Sequence, residues 1–217
     1  MPTDPLLLVF GAGGHGKVVA DAGLAQVAAV NGRPPPWQGV VASDHDQAKC
    51  RGELLPGVRL VPPDEARRLL QDGEALLHLA IGRNAHRAAQ AAQFGGVGYA
   101  CVVHPAASVS PNAQLASGCF VAAQAVVAVH AVLGQSVIVN HGAVVDHDCE
   151  IGEFSHLAPG AVLGGGVTTG SQVLVGAGAR LLPGVVVGHG VTIGAGAVLT
   201  RDAAQGTWVG VPARRVA

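Results

Sequence analysis

With 217 residues the chain has room for two modest domains. A net charge of −1, with 12% charged and 3% aromatic residues, leaves no basic patch or stacking platform for nucleic acid. The longest apolar stretches are too short and too broken by glycine to span a bilayer. Met1–Pro5 leads straight into an apolar strand rather than a charged-then-apolar leader, so a cytoplasmic protein without a membrane partner is expected.

Leu6–Phe10 reads as a short buried strand. It empties into Gly11-Ala12-Gly13-Gly14-His15-Gly16-Lys17, after which Val18, Val19, Ala22, Leu24 and Ala25 recur at helix-like spacing. A strand, a glycine loop and a helix start make an anion site, because bare amides and the helix dipole favour a phosphate there. Gly11, Gly13 and Gly16 fit G-x-G-x-x-G, which raises a dinucleotide reading. His15 and Lys17, a donor and a cation at the helix start, suit a diphosphate. Pro34-Pro35-Pro36 reads as a loop, Val40–Ala42 as a second strand ending at Ser43 and Asp44, and the charged segment after Asp44 as a solvated connection. Pro63–Gln71 is predicted to be a helix begun by proline, and Leu76–Ile81 a strand ending in Gly82-Arg83-Asn84. Ala85–Phe94 reads as a further helix and Tyr99–Val103 as a further strand. Residues 1–100 are therefore expected to form a small Rossmann-like α/β domain of about four parallel strands, near half a full dinucleotide fold. That size favours a mononucleotide-type ligand over NAD.

Residues 101–217 follow another rule. From Val103 to Leu199 an aliphatic residue recurs every six positions, with Thr169 the exception. Four residues after each anchor stands a small or β-branched side chain, among them Cys119, Ala125, Ala143, Cys149, Ser155 and Ala161. Two interlocked short periods mark a solenoid of stacked coils. On a flat strand side chains alternate, so i+4 and the next anchor point inward, i+5 and i+1 outward, and i+2 and i+3 turn a corner. Glycine is frequent there, as at Gly142, Gly160 and Gly178, because positive φ costs it little. Cys119 and Cys149 fall in inward slots and read as small core residues rather than a disulfide.

Gly11–Lys17, Ile81–Asn84, the six-residue array and Gly210-Val211-Pro212-Ala213-Arg214 together resemble one bacterial family, the sugar O-/N-acyltransferases. Its members include nucleotide-amino-sugar N-acetyltransferases and sialic acid O-acetyltransferases. The most telling stretch runs from Asn140-His141-Gly142 through His147-Asp148 to Gly152, followed by Phe154-Ser155-His156. The resemblance implies a sugar-nucleotide-binding front domain and a left-handed parallel β-helix, with three hexapeptides closing each triangular coil. That handedness is an exception to the usual crossover rule. It further implies His147 as general base, Asp148 raising its basicity, and His156 beside the thioester of acetyl-CoA. Substrate contacts are implied at Gly13, Gly14, His15, Ser43, Asp44, Gly82 and Asn140. His141, a further candidate substrate contact, stands where the family often has a small polar residue, which leaves a second histidine that could compete for the catalytic role. Gly165, Ala177 and Ala195 match positions along the coenzyme. Family members are trimers with active sites at subunit boundaries.

The residues themselves agree with this chemistry. His147 falls at i+2, a corner, so its ring can leave the coil; an imidazole with a pKa of about 6.5 is mostly neutral at pH 7. Asp148 can hold its tautomer and stabilise the imidazolium. Gly165 lies three hexapeptides further on, at the same corner of the next coil, where its N–H can polarise a thioester carbonyl. Arg180, Arg201, Arg214 and Arg215 are candidates for the coenzyme's phosphates. Val126, Val144 and Val162 make an outward apolar stripe, which suggests burial against another subunit in a homotrimer. The expected activity is acetyl transfer from acetyl-CoA to the amino group of a nucleotide-linked amino-dideoxy sugar, without a metal. The alternatives are O-acetylation of sialic acid or a related sugar, a non-catalytic sugar-nucleotide scaffold, and a γ-carbonic-anhydrase-like metal enzyme. The last would draw on His130, His141, His147 and His156.

Overall fold

The computed structural model describes residues 4–28 and 36–216. Pro34 and Pro35 of the expected proline loop lie outside them. The chain divides into two compact units, Met1–Pro105 and Ala106–Ala217.

The first unit is built on a five-stranded sheet. Strand β1 (Leu6–Phe10) runs parallel between β2 (Gly39–Ser43) and β5 (Ala75–Leu79). It is apolar at every position because both sheet faces are covered. Helix α1 (Gly14–Ala28) lies close to the sheet: a Cβ on Gly23 would stand 2.6 Å from Leu7. Helix α2 (Pro63–Gln71) starts on a proline with Asp64 and Glu65 in its first turn, where carboxylates meet the positive end of the dipole. Helix α3 (Asn84–Ala91) is tied to the loop before it by buried Arg87, whose guanidinium donates to Ile81 O at 2.7 Å and Asn84 Oδ1 at 3.1 Å.

Two expectations for this unit need correction. The segment after Asp44 is not a solvated connection: a short helical turn (Gln47–Lys49) leads to a hairpin of β3 (Glu53–Leu55) and β4 (Val58–Leu60). Cys50, Val58 and Leu60 from this stretch are buried. Strand β4, parallel to β2, supplies the fourth parallel strand that the sequence assigns to Tyr99–Val103. Tyr99 makes only an isolated bridge to Leu77, and the strand there is reduced to Val102–Val103. The aromatic and β-branched run is real, but only its last two residues, Val102–Val103, form a strand.

The second unit is a three-sided parallel β-helix. Each side is a ladder of two-residue strands whose partners stand three hexapeptides apart, such as Val126–Val144–Val162, Val132–Glu150–Thr168 and Ile138–His156–Leu174. At the far end Thr207–Val209 joins the third ladder and Arg214–Val216 closes it antiparallel. From Cys119 to Leu199 the anchors and the i+4 residues fill the interior. Val109 and Leu115, in the first coil, are only half-buried.

Polar members of the inward columns are satisfied rather than orphaned. The Thr169 hydroxyl accepts from Gly152 N–H at 3.1 Å, Ser155 Oγ donates to Gly170 O, and the Cys119 and Cys149 thiols donate to Gly134 O and Gly164 O. Neither cysteine is in a disulfide. From Gly118 to Gly196 the second corner residue of each turn adopts positive φ, as glycine at 118, 142, 160, 166, 178, 184, 190 and 196 but as a side-chain-bearing residue at six others, His130 and Asp148 among them.

Candidate active site

In the first unit the glycine loop sits at the carboxyl ends of β1 and β5, the point where strand order reverses and α/β sheets bind ligands. Gly11 (φ 120°) packs so closely that a Cβ would lie 2.8 Å from Ala80 O, whereas Gly13 and Gly14 have open space around them. Helix α1 begins at Gly14, so the first-turn amides of Gly14, His15 and Gly16 face out of the helix end. Asp44 organises the loop: Oδ2 accepts from Ala12 N–H at 2.9 Å and Oδ1 from Asp46 N–H at 3.1 Å. Burial pushes its carboxyl up, but those two amides and the charges of Lys49 and His45 outweigh burial and hold it below the usual range.

A cavity of 430 Å³ opens there, lined by Gly11, Gly13 and Asp44 on one side and His86, Gln90 and Gln93 of the α3 segment on another. Ser43 is fully buried, its Oγ donating to Val61 O at 2.9 Å. Gly82 lies in the loop between β5 and α3 with open space at its α-carbon. His86, Gln90 and Gln93 escaped the sequence reading, although i, i+4, i+7 spacing after a glycine turn would have put them on one helical face.

In the second unit the coil register sorts the corners into three columns. One holds Val129, His147, Gly165 and Pro183; a second Ala123, His141, Pro159, Ala177 and Ala195; the third Gln135, Glu153, Ser171 and His189. At the first column the His147 ring projects from the coil, its side chain 57% exposed. Nδ1 lies 2.7 Å from Asp148 Oδ2, and the His147 amide donates to Asp146 Oδ1 at 2.8 Å. The Asp148 hydrogen bond, then the Asp146 charge, raise the imidazole pKa above its ordinary value. In return, chiefly through that hydrogen bond, Asp148 is held low. Gly165 faces the ring: a Cβ there would stand 2.5 Å from both Cε1 and Nε2 of His147. Gly164 N–H bonds to Leu181 O and Gly166 N–H to His147 O, while the Gly165 N–H has no backbone acceptor among the described residues.

At the second column Asn140 Nδ2–H donates to His156 Nε2 at 3.2 Å, and Asn140 Oδ1 accepts from His141 N–H at 2.9 Å. Ala177 and Ala195 stack above His141. Within one chain, then, His147, Asp148 and Gly165 come together, and Asn140, His141, His156, Ala177 and Ala195 gather at another edge. The face carrying Val126, Val144 and Val162 separates the two sets. Of the arginines, Arg201 lies over Trp208 at 5.8 Å and Arg180 and Arg214 reach backbone carbonyls. Among the described residues no group of three or more His, Cys, Asp or Glu converges as metal ligands would, and no helix is long and apolar enough to cross a membrane.

Comparison with known proteins agrees with both halves. Residues 6–94 match the PglD N-terminal domain, and residues 130–165 and 166–201 match the bacterial transferase hexapeptide (six repeats). The acetyltransferase domain of PglB from Neisseria gonorrhoeae, in complex with acetyl coenzyme A, is 35% identical over 98% of this chain and 100% of that one, with a TM-score of 0.87. A mutant of GDP-perosamine N-acetyltransferase from Caulobacter crescentus, in complex with CoA and GDP-perosamine, is 34% identical over 97% and 95% of the two chains, with a TM-score of 0.81. WeeI from Acinetobacter baumannii shares the fold at 22% identity, covering 96% of this chain and 99% of that one, with a TM-score of 0.80. No curated protein matches the sequence. With both units matched, and with two relatives aligned along nearly their whole length, the chain belongs to the bacterial sugar O-/N-acyltransferase family, an acyltransferase built from a PglD-type α/β unit and a left-handed parallel β-helix.

Proposed function

We propose that the chain transfers the acetyl group of acetyl-CoA to the amino group of a nucleotide-linked amino-dideoxy sugar, by direct attack with His147 as general base. The observation that carries this reading is the His147 imidazole held by Asp148 at 2.7 Å and facing Gly165 on the next coil. The glycine loop of the first unit takes the diphosphate, and Gly13, Gly14, His15, Ser43, Asp44 and Gly82 form or support that site. The neutral amine attacks the thioester carbonyl, forming the C–N bond. His147 Nε2 takes the proton of the resulting ammonium, the Gly165 N–H donates to the oxyanion, and the C–S bond breaks. The imidazolium then returns the proton to the departing thiolate, giving free CoA and the acetamido sugar.

Because Asp148 raises the His147 pKa, the base loses its proton above the ordinary imidazole range, and the rate climbs with pH through that folded-state value. Asp148→Asn removes the chief cause. The acidic limb of the kcat profile is then expected to move to lower pH, while the plateau rate falls about 10-fold or more, because the amide no longer fixes the tautomer. A pH–rate series on the two proteins checks both.

The split of the site residues between two edges supports a homotrimer in which the His147 edge of one subunit meets the His156 edge of the next across the Val126–Val144–Val162 face. Asn140 and His141 would then border the acceptor, and His156, Ala177 and Ala195 the coenzyme arm. Two inactive variants, His147→Asn and His156→Ala, are expected to regain about a quarter of the parent activity when co-assembled at equal ratio, since each mixed boundary of the right order holds one intact site. Sites contained within single chains would regain none.

The substrate class is tested by thiol release from acetyl-CoA with UDP-, GDP- and dTDP-linked amino sugars, against free sialic acid. Release with one of the amino-sugar nucleotides is expected. Release with sialic acid alone would make the chain an O-acetyltransferase instead.

A further inference from the structure

We infer that His130 is a positioning residue for acetyl transfer, pinning the Asp148 carboxylate so that it holds His147 in its working orientation. The inference rests on His147 being the base. His130 and Asp148 occupy the same second corner position on successive coils, three hexapeptides apart. His130 Nδ1 lies 3.5 Å from Asp148 Oδ1, and His147 Nδ1 lies 2.7 Å from Asp148 Oδ2. One carboxylate spans two imidazoles, an oxygen to each.

The backbone points the same way. His130 and Asp148 hold φ at 60° and 57°, in the left-handed region. Directly above them in the same column the chain uses Gly166 and Gly184, the residues for which that conformation is unstrained. Six corners of the β-helix keep a side chain at positive φ, and two of them, His130 and Asp148, stand one above the other beside the candidate base.

The chemistry gives the reason. The Asp148 side chain is 58% exposed, so on its own its carboxylate can rotate and turn to water. With His130 Nδ1 set against Oδ1 at 3.5 Å, Oδ2 is left for the His147 Nδ1–H, which keeps the Nε2 lone pair free for the amine. The charged and titratable groups facing His147 are Asp148 beside it and Asp146 before it, with His130 acting through Asp148. The coil above presents the uncharged backbone of Gly165.

His130→Gly separates this role from a structural one, because glycine relieves the backbone strain while deleting the imidazole. On the plateau of the pH–rate profile, kcat is expected to fall about tenfold, the loss typical of a hydrogen bond to a charged group. The KM values for acetyl-CoA and the amino-sugar nucleotide should stay within about twofold of the parent, and the melting temperature should equal or exceed the parent's. His130→Asn, which tolerates left-handed φ and keeps an N–H donor, should return kcat to within about twofold of the parent. A fully active His130→Gly protein, a slow His130→Asn protein, or activity lost together with melting temperature would each overturn the inference. If His147→Asn is inactive while His130→Gly is fully active, only the role of His130 is lost; if His147→Asn keeps full activity, the base assignment itself is lost.

Discussion

Replacing His147 by asparagine is expected to lower kcat by about 10²–10⁴-fold, the contribution of a positioned general base. Binding should survive, because the ring stands on an exposed corner and no interior contact depends on it. The KM for acetyl-CoA is therefore predicted to change little while kcat collapses, the pattern of an interaction made mainly in the transition state. The acceptor modulates the size of the effect. An amine is a good nucleophile once deprotonated, so residual activity should rise steeply with pH as solvent takes over the proton. A hydroxyl acceptor offers no such escape. Steady-state kinetics of parent and variant across pH measure both features.

Gly165→Ala is the second large effect, and it acts through geometry rather than by deleting a group. The new methyl would lie 2.5 Å from Cε1 and Nε2 of His147, well inside van der Waals contact. Because the obstacle is an exposed side chain, the imidazole swings away and the coil survives. The displaced ring leaves the lone pair misaimed, and the methyl crowds the N–H assigned to the oxyanion. Loss of either contribution amounts to about 10²-fold or more, so kcat should fall at least that far while the melting temperature moves little. Gly190→Ala is the informative contrast. It sits at a different corner with φ of 66° and open space around it, so it should cost about 1–2 kcal/mol of backbone strain and leave kcat unchanged. Thermal melting and turnover measured on both variants separate strain from chemistry.

Much of the β-helix was legible because its signal is a period rather than a propensity. No two-residue strand such as Val144–Val145 or Glu150–Ile151 is recognisable alone, yet the recurrence of anchors and small i+4 residues marks which side chains point inward. Even the break at Thr169 follows the logic of the column, since its hydroxyl finds the Gly152 amide. The front unit was harder. Leu54-Leu55-Pro56-Gly57-Val58-Arg59-Leu60 alternates about a turn, but the charged residues before it disguised a hairpin as a connection. Tyr99–Val103 has the composition of a strand, yet only Val102–Val103 forms one.

At the site, His147 and Asp148 are adjacent in sequence, and Gly165 follows from the coil length. His130 precedes His147 by one position less than a full coil and stands in the neighbouring corner slot, so only the stacking register brings it to Asp148. The partition of the remaining residues has the same origin. His147 and Gly165 share one corner column, while His141, Ala177 and Ala195 share another, a difference that a linear motif conceals and a triangular coil makes physical.

The most direct measurement is the structure of the protein with CoA and a nucleotide-linked amino sugar bound together. The sugar nitrogen is expected within hydrogen-bond reach of His147 Nε2, about 3 Å, with Asp148 still on Nδ1. A sugar nitrogen resting instead on His141, with the His147 ring turned to solvent, would contradict it.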